Sequence, residues 1–262
     1  MMRSGSTLQY QITKDIVETS GTGYALGWIE TEDFPMLHKR YEQESRNIVA
    51  KTHAYIDGIG EMIIGGEAKA IYVHRDIRDV TVSLMNKRNK SFWYILLTTP
   101  FIELVLENHR NWTAQTGILI SRYEEMVANL KQEVLRIASY LNVPLGEVEA
   151  AHIASKYALE RQIAKVKQLE TQDEDSVNMM DSELLFHRNH IHSGDVGQWA
   201  NTLTKFQVGV VEALVKDKLR TSENYEYGVS VSPAIIYMIK ALNKVVVPIK
   251  GKGLSLRERF RR

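Results

Sequence analysis

Ala70-Ile71-Tyr72-Val73-His74-Arg75-Asp76-Ile77-Arg78-Asp79-Val80-Thr81-Val82-Ser83 is the stretch on which the fold turns. Ala68 to His74 is rich in β-branched and aromatic residues, which suit a pleated, half-buried surface. From Ile77 to Arg88 the pattern reads as a helix. Asp76 and Asp79 stand near its start, where carboxylates complement the helix dipole. A strand running directly into a helix is half of a βαβ unit. Working outward, Ile48 to His53 and Ile118 to Ile120 are further strand candidates. Ser6 to Ser20 reads as a helix with an apolar stripe of Leu8, Ile12, Ile16 and Val17, stopped by Gly21-Thr22-Gly23. Pro100 to Thr116 and Val127 to Leu141 are helices too. Alternation of this kind predicts an α/β fold with a central parallel sheet flanked by helices. Pro144 to about Leu169 is helical throughout, Glu170 to Ser182 is a polar, acidic loop or lid, and Trp199 to Leu219 is the last helix of the body.

The chain has 262 residues, 44% apolar and 25% charged, enough for one α/β domain with its own core. It has no cysteine, which excludes disulfides, thiolate metal sites and cysteine nucleophiles and suits a reducing, cytoplasmic setting. The first residues contain no apolar stretch of the kind a signal peptide needs. The net charge of +1 conceals an asymmetry. From Lys240 onward eight Lys or Arg stand against one Glu, a net +7 that leaves the rest at −6. The body shows no basic patch interleaved with aromatics, so nucleic acid is not an expected partner.

Three motifs carry chemistry. Arg3-Ser4-Gly5-Ser6-Thr7 opens directly into a helix. Glycine allows close backbone approach, the helix start presents N–H groups, and an arginine and hydroxyls add donors, so this is a cradle for an anion. The same residues also serve as an ordinary N-cap, and the GxxxxGK[ST] spacing is absent. Arg75, at a strand end, and Ser83, two helical turns on, are placed to grip one phosphate. The plainer reading is surface salt bridging among Arg75, Asp76, Arg78 and Asp79. Third, strand alternation puts Lys51 and His53 of Lys51-Thr52-His53 on one side. A histidine beside a strand is otherwise structural.

Together these motifs resemble the sulfotransferases that use 3′-phosphoadenosine 5′-phosphosulfate (PAPS), over most of residues 1 to 228. The resemblance implies a P-loop NTPase-like fold. It also implies that Arg3, Ser4, Gly5, Ser6 and Thr7 hold the 5′-phosphosulfate and that Arg75 and Ser83 hold the 3′-phosphate. Tyr123, opening Tyr123-Glu124-Glu125, would lie near the adenine, with Ser155 and Tyr157 supplying a further polar and aromatic face. Gly194-Asp195-Val196-Gly197-Gln198-Trp199 approximates a late family signature, so His192, Ser193 and Gly194 would complete the phosphate side, with Arg188 as an alternative basic contact. His53 would be the general base, with Lys51 and Arg3 stabilising the transferring group; no metal is implied. In the family a β-strand precedes the loop. Here only Met1 and Met2 stand before Arg3, so the first strand is expected to be missing, truncated or encoded upstream.

Residues 229–262 read as an apolar-basic addition to a sulfotransferase domain of residues 1–228. Such a segment either packs on the body or makes peripheral membrane contact through residues 233–262. Two rivals stand beside an active transferase. One is a non-catalytic relative that binds PAPS or its product PAP. The other is a nucleotide kinase, disfavoured by the missing Walker lysine. The acceptor, a small molecule or a glycolipid, is not readable, although Tyr24, Trp28, Phe34, Phe92, Trp93 and Tyr94 are aromatic enough to line a pocket. Oligomeric state is equally open.

Overall fold

The computed structural model describes residues 1–171, 180–181, 185–187, 191, 193–219 and 228–251. Along the chain run α1 (Ser6–Thr19), β1 (Gly23–Trp28), a 3₁₀ turn (Thr31–Asp33), α2 (Phe34–Arg40), β2 (Asn47–Lys51), α3 (Ile59–Gly65) and β3 (Ile71–His74). There follow α4 (Ile77–Arg88), α5 (Phe92–Thr98), α6 (Phe101–Thr113), β4 (Leu119–Arg122), α7 (Tyr123–Ala128), α8 (Leu130–Leu141), α9 (Glu147–Lys156) and α10 (Leu159–Thr171). The last elements are β5 (Met180–Asp181), β6 (Phe186–His187), α11 (Trp199–Thr202), α12 (Lys205–Leu219) and α13 (Pro233–Gly251). The architecture is α/β with parallel strand pairs, as the alternation predicts. The chain forms two compact units, Met1–Arg75 with Asn111–Gly194, and Asp76–Arg110 with Asp195–Arg262.

In the first unit β1 pairs parallel with β2, and β3 with β4. Helix α1 lies against β1, β2 and β3 and against α8 and α9. Its stripe does what the periodicity requires: Ile12 and Ile16 are fully buried with Val134, Ile137 and Ala138 of α8 and Ala150 and Ile153 of α9. Residues 1–5 enter α1 as turn and bend, tied to β3 by the Met1 amine, which donates to the Val73 carbonyl at 2.7 Å. The β1–β2 register breaks between Ala25 and Gly27, leaving Leu26 as an extra residue, and Gly27 has φ 86°. This is a β-bulge with glycine in the left-handed region, which re-phases everything after it.

The second unit is built around α4, which packs with α5, α11 and α12, while α13 lies on α5 and α12. Here the plainer alternative, surface salt bridging, does not hold: these charges are buried, and Arg78 bonds Asp76 and Glu212. Arg78, 6% exposed, donates through Nε to Asp76 Oδ1 at 3.0 Å, through Nη2 to Asp76 Oδ2 at 2.6 Å and through Nη1 to Glu212 Oε1 at 2.9 Å. Its Cζ also lies 3.9 Å from the Trp199 ring centroid. Asp79 accepts the N–H groups of Gly197 (2.8 Å) and Trp199 (3.1 Å), so the late signature is anchored through its backbone to α4. Breaking such a buried charge cluster from one side costs about 3–5 kcal/mol, because the remaining charges stay buried.

Several boundaries differ from the sequence expectation for local reasons. The strand at residues 48–53 ends at Lys51, where the Thr52 hydroxyl accepts the Ala54 N–H and starts a turn. The long helix beyond Pro144 breaks at Tyr157. Trp199–Leu219 divides because Thr204 and Gln207 form a reciprocal capping box, Gln207 N to Thr204 Oγ1 at 3.3 Å and Thr204 N to Gln207 Oε1 at 2.9 Å. Most of the acidic segment 170–182 lies outside the described residues, as do His192, Arg188 and the basic end beyond Gly251.

Candidate active site

Loop 3–7 is shaped by two residues with positive φ, Arg3 at 57° and Gly5 at 85°. Gly5 is the N-cap of α1, and no side chain caps that end. A Cβ on Gly5 would lie 2.6 Å from Tyr123 Cδ2, so both the backbone angle and the neighbouring ring demand glycine. The Ser4 hydroxyl is engaged inside the protein, donating to the Met1 and Val73 carbonyls. Thr7 and Ser6 instead face β2 and the turn after it. Lys51, 8% exposed, donates from Nζ to Thr7 Oγ1 at 2.6 Å, and Ser6 Oγ lies 3.4 Å from His53 Nε2. His53 itself is exposed. Lys51 and His53 thus converge on one helix start, although His53 stands on the turn rather than on the strand.

Trp28 completes this corner. Its ring meets the His53 imidazole edge-on, with centroids 4.7 Å apart, and Lys51 Nζ lies 5.9 Å from its centroid. Without the bulge at Leu26, Trp28 would pair with Thr52 and face away. The bulge pairs it with Lys51. Sequence reasoning saw Trp28 only as a generic pocket aromatic. The usable signal was Gly27-Trp28 at a strand end, since strand-interior glycine marks bulges.

On the other side of Gly5, Tyr123 gathers three of the expected residues. The Arg75 guanidinium lies over its ring, Cζ 4.3 Å from the centroid, and its hydroxyl donates to the Gly194 carbonyl at 2.6 Å. Gly194 has φ 74°, and a Cβ there would meet Leu159 at 2.5 Å. Arg75 is 4% exposed. Burial and then the positive charge of Arg75 push the Arg3 guanidinium down to about 10. Two crowded cations of this kind make the loop a region of positive potential. Arg3 remains charged at neutral pH.

Two further expected residues lie at the end of α9. Ser155 is exposed near the end of α9. Tyr157 is 1% exposed among the apolar side chains of α1, α8 and α9; burial and the Asp15 carboxylate raise its phenol, which stays protonated. Ser193 precedes Gly194 and is half-buried. Ser83 belongs to the second unit, buried on α4. Of the aromatics, Phe92 is core. Tyr24 bonds the Glu44 carboxylate and carries Arg46 over its ring.

Residues 2–223 match the family model described as sulfotransferase domain. The chain is 23% identical over 206 residues to mouse sulfotransferase 2B1, covering 70% of this chain and 57% of the mouse protein, so it spans little more than half the length of that relative. A crystal structure of a mouse sulfotransferase complexed with PAP superposes with TM-score 0.63 at 17% identity, covering 94% of this chain and 86% of that one. Retinol dehydratase, in complex with androsterone and the inactive cofactor PAP, superposes with TM-score 0.56 at 18% identity, covering 86% and 80%. With its fold and the length of the family match agreeing, this chain belongs to the sulfotransferase domain family.

Proposed function

We propose that this protein transfers a sulfuryl group from PAPS to a hydroxyl or amine of an acceptor, with His53 as general base. The observation that carries the reading is the convergence of Lys51 and His53 on Thr7 and Ser6 at the uncapped start of α1. The donor set fits an anionic nucleotide: α1 presents unpaired backbone N–H groups, Gly5 leaves no Cβ in the way, and Arg3 and Arg75 repel each other where phosphate oxygens would relieve them. When bound, PAPS supplies an activated sulfuryl group whose leaving group is a phosphate.

Each residue then has a defined task. His53 Nε2 accepts the acceptor's proton, which makes the oxygen or nitrogen nucleophilic as the new bond to sulfur forms. Ser6, beside that nitrogen, and Trp28, against the ring, hold the imidazole in orientation. Lys51 and Arg3 face the oxygens on which charge develops, Ser4 through Thr7 contribute backbone donors, and Ser6 and Thr7 add hydroxyls. Arg75 and Ser83 hold the 3′-phosphate, and Tyr123 and Ser155 serve the adenine side; Tyr157, expected there from the sequence, is instead buried in the core. Ser193 and Gly194, together with His192, complete the cofactor site. Residues 1–228 form the transferase domain and 229–262 an addition.

The acceptor is a small molecule, a glycolipid being the larger alternative, and the protein works in the cytoplasm. The neighbour crystallised with androsterone and PAP supports an apolar alcohol. Titration calorimetry with adenosine 3′,5′-bisphosphate tests the cofactor half: tight binding, weakened about 10- to 100-fold by Arg75→Ala, is expected. A PAPS turnover assay over a panel of phenols and steroid alcohols tests the chemistry. Binding without turnover on any acceptor would identify a non-catalytic relative. ATP competing as well as the bisphosphate would revive the kinase reading.

A further inference from the structure

Helix α13 lies beyond the family match, which ends at residue 223, and it has two unlike apolar faces. The inner face is short: Ile236, Ile239 and Asn243 are buried at 9%, 5% and 8% exposure. Asn243 fixes the rotation of the helix, because its Nδ2 donates to the Leu96 carbonyl at 2.7 Å and the Thr99 carbonyl at 3.1 Å. The outer face is longer. Ala234, Tyr237, Met238, Ala241, Leu242 and Val245 are all exposed, Tyr237 by 77% and Val245 by 60%. At 100° per residue they form a stripe about 140° wide, directly opposite the buried trio. A soluble helix normally turns such a stripe inward. A continuous exposed stripe marks a contact surface.

Charge identifies the contact. Lys240 and Lys244, both exposed, lie along one margin of the stripe. No Asp or Glu occurs from Gly228 to Arg257, and the sequence continues through Lys250, Lys252, Arg257, Arg259, Arg261 and Arg262 against a single Glu258. Two-fold pairing of this face with a second copy would bring lysine rows together with no carboxylate on the helix to offset them. Crossing a bilayer is not the alternative, since among the described residues no helix is long and apolar enough to do so. A lipid surface that is apolar at depth and anionic at the headgroups satisfies both features, with the lysine stems lying along apolar surface and their heads among the lipid phosphates.

We infer that α13 is a docking helix that lies in the plane of an anionic membrane surface, its Tyr237–Met238–Leu242–Val245 face sunk at the headgroup boundary. The test uses the full chain and vesicles of phosphatidylcholine with or without phosphatidylserine, read by flotation. Flotation is expected only with phosphatidylserine and is expected to weaken with added salt. The double substitution Met238→Asp with Leu242→Asp should abolish it while leaving the circular dichroism spectrum unchanged, since neither residue belongs to the buried trio. Lys240→Gln with Lys244→Gln should weaken it about 30-fold. Absence of flotation by a folded wild-type chain overturns the inference, as does equal binding by both variants. Sedimentation velocity supplies the remaining outcome: a wild-type dimer that becomes monomeric in the aspartate variant would assign the face to self-association instead. Calorimetry with adenosine 3′,5′-bisphosphate on the same samples keeps this result separate from the cofactor reading.

Discussion

Arg75 and Arg78 are three residues apart and similarly buried, yet they keep different neighbours. Arg78 is surrounded by carboxylates: Asp76 takes it bidentately, Glu212 takes a third bond, and Trp199 covers its face. Those carboxylates raise its affinity for the proton against the effect of burial. Arg75 lies over the Tyr123 ring, and burial together with its positive charge makes the Arg3 guanidinium more acidic. A buried cation among anions is already neutralised and acts as a strut. Arg75, crowded against a second cation, is the one assigned to the nucleotide in the function proposed above. Salt-bridge potential read from sequence cannot separate the two, because Asp76 and Asp79 are near neighbours of both arginines along the chain. The structure separates them by what comes from afar, Glu212 for one and loop 3–7 for the other.

The comparison can be broken or sharpened by substitution. His53→Ala, at the chemical end of the first region, should lower turnover about 10²- to 10⁴-fold while leaving bisphosphate affinity within error in calorimetry. A parallel loss of affinity would mean that His53 holds cofactor instead of acceptor. Arg78→Ala should cost about 3–5 kcal/mol in urea unfolding. If it instead weakens nucleotide binding at unchanged stability, the strut assignment fails. Arg75→Ala should show the reverse pattern, with bisphosphate binding about 10- to 100-fold weaker and a small change in unfolding midpoint. Gly5→Ala should cost about 1–3 kcal/mol through its φ of 85° and the Tyr123 ring, detectable as a lower melting temperature.

Much of this was legible in the sequence where residue type and spacing agree. The strand into Arg75, the α1 stripe and the loop at Gly5 follow from local pattern among near neighbours in the chain, whereas Lys51 and His53 stand out only through the family resemblance, and His53 lies on the turn and not on the strand. What was not legible came from features that interrupt a pattern or act at long range. Gly23–Trp28 has two glycines and a bulge, so no alternation marks it as a strand. Phe92 to Leu97 is continuously apolar and shows no helical period, although Ser91, whose hydroxyl accepts the Tyr94 N–H, was a readable cap. Asn243 is a polar residue within an apolar stretch. Its role depends on two carbonyls nearly 150 residues earlier. The Arg78–Glu212 bond has the same long range.

The bulge in β1 buffers the Trp28–His53 corner against one residue of length. Leu26 has no partner across the strand pair, so a chain without it would still set Gly27 opposite Ala50 and Trp28 opposite Lys51. Keeping Leu26 while flattening the bulge would instead pair Trp28 with Thr52 and turn it away from His53. Side-chain facing at the end of this strand is therefore decided by whether the extra residue is looped out, and not by how many residues the strand contains.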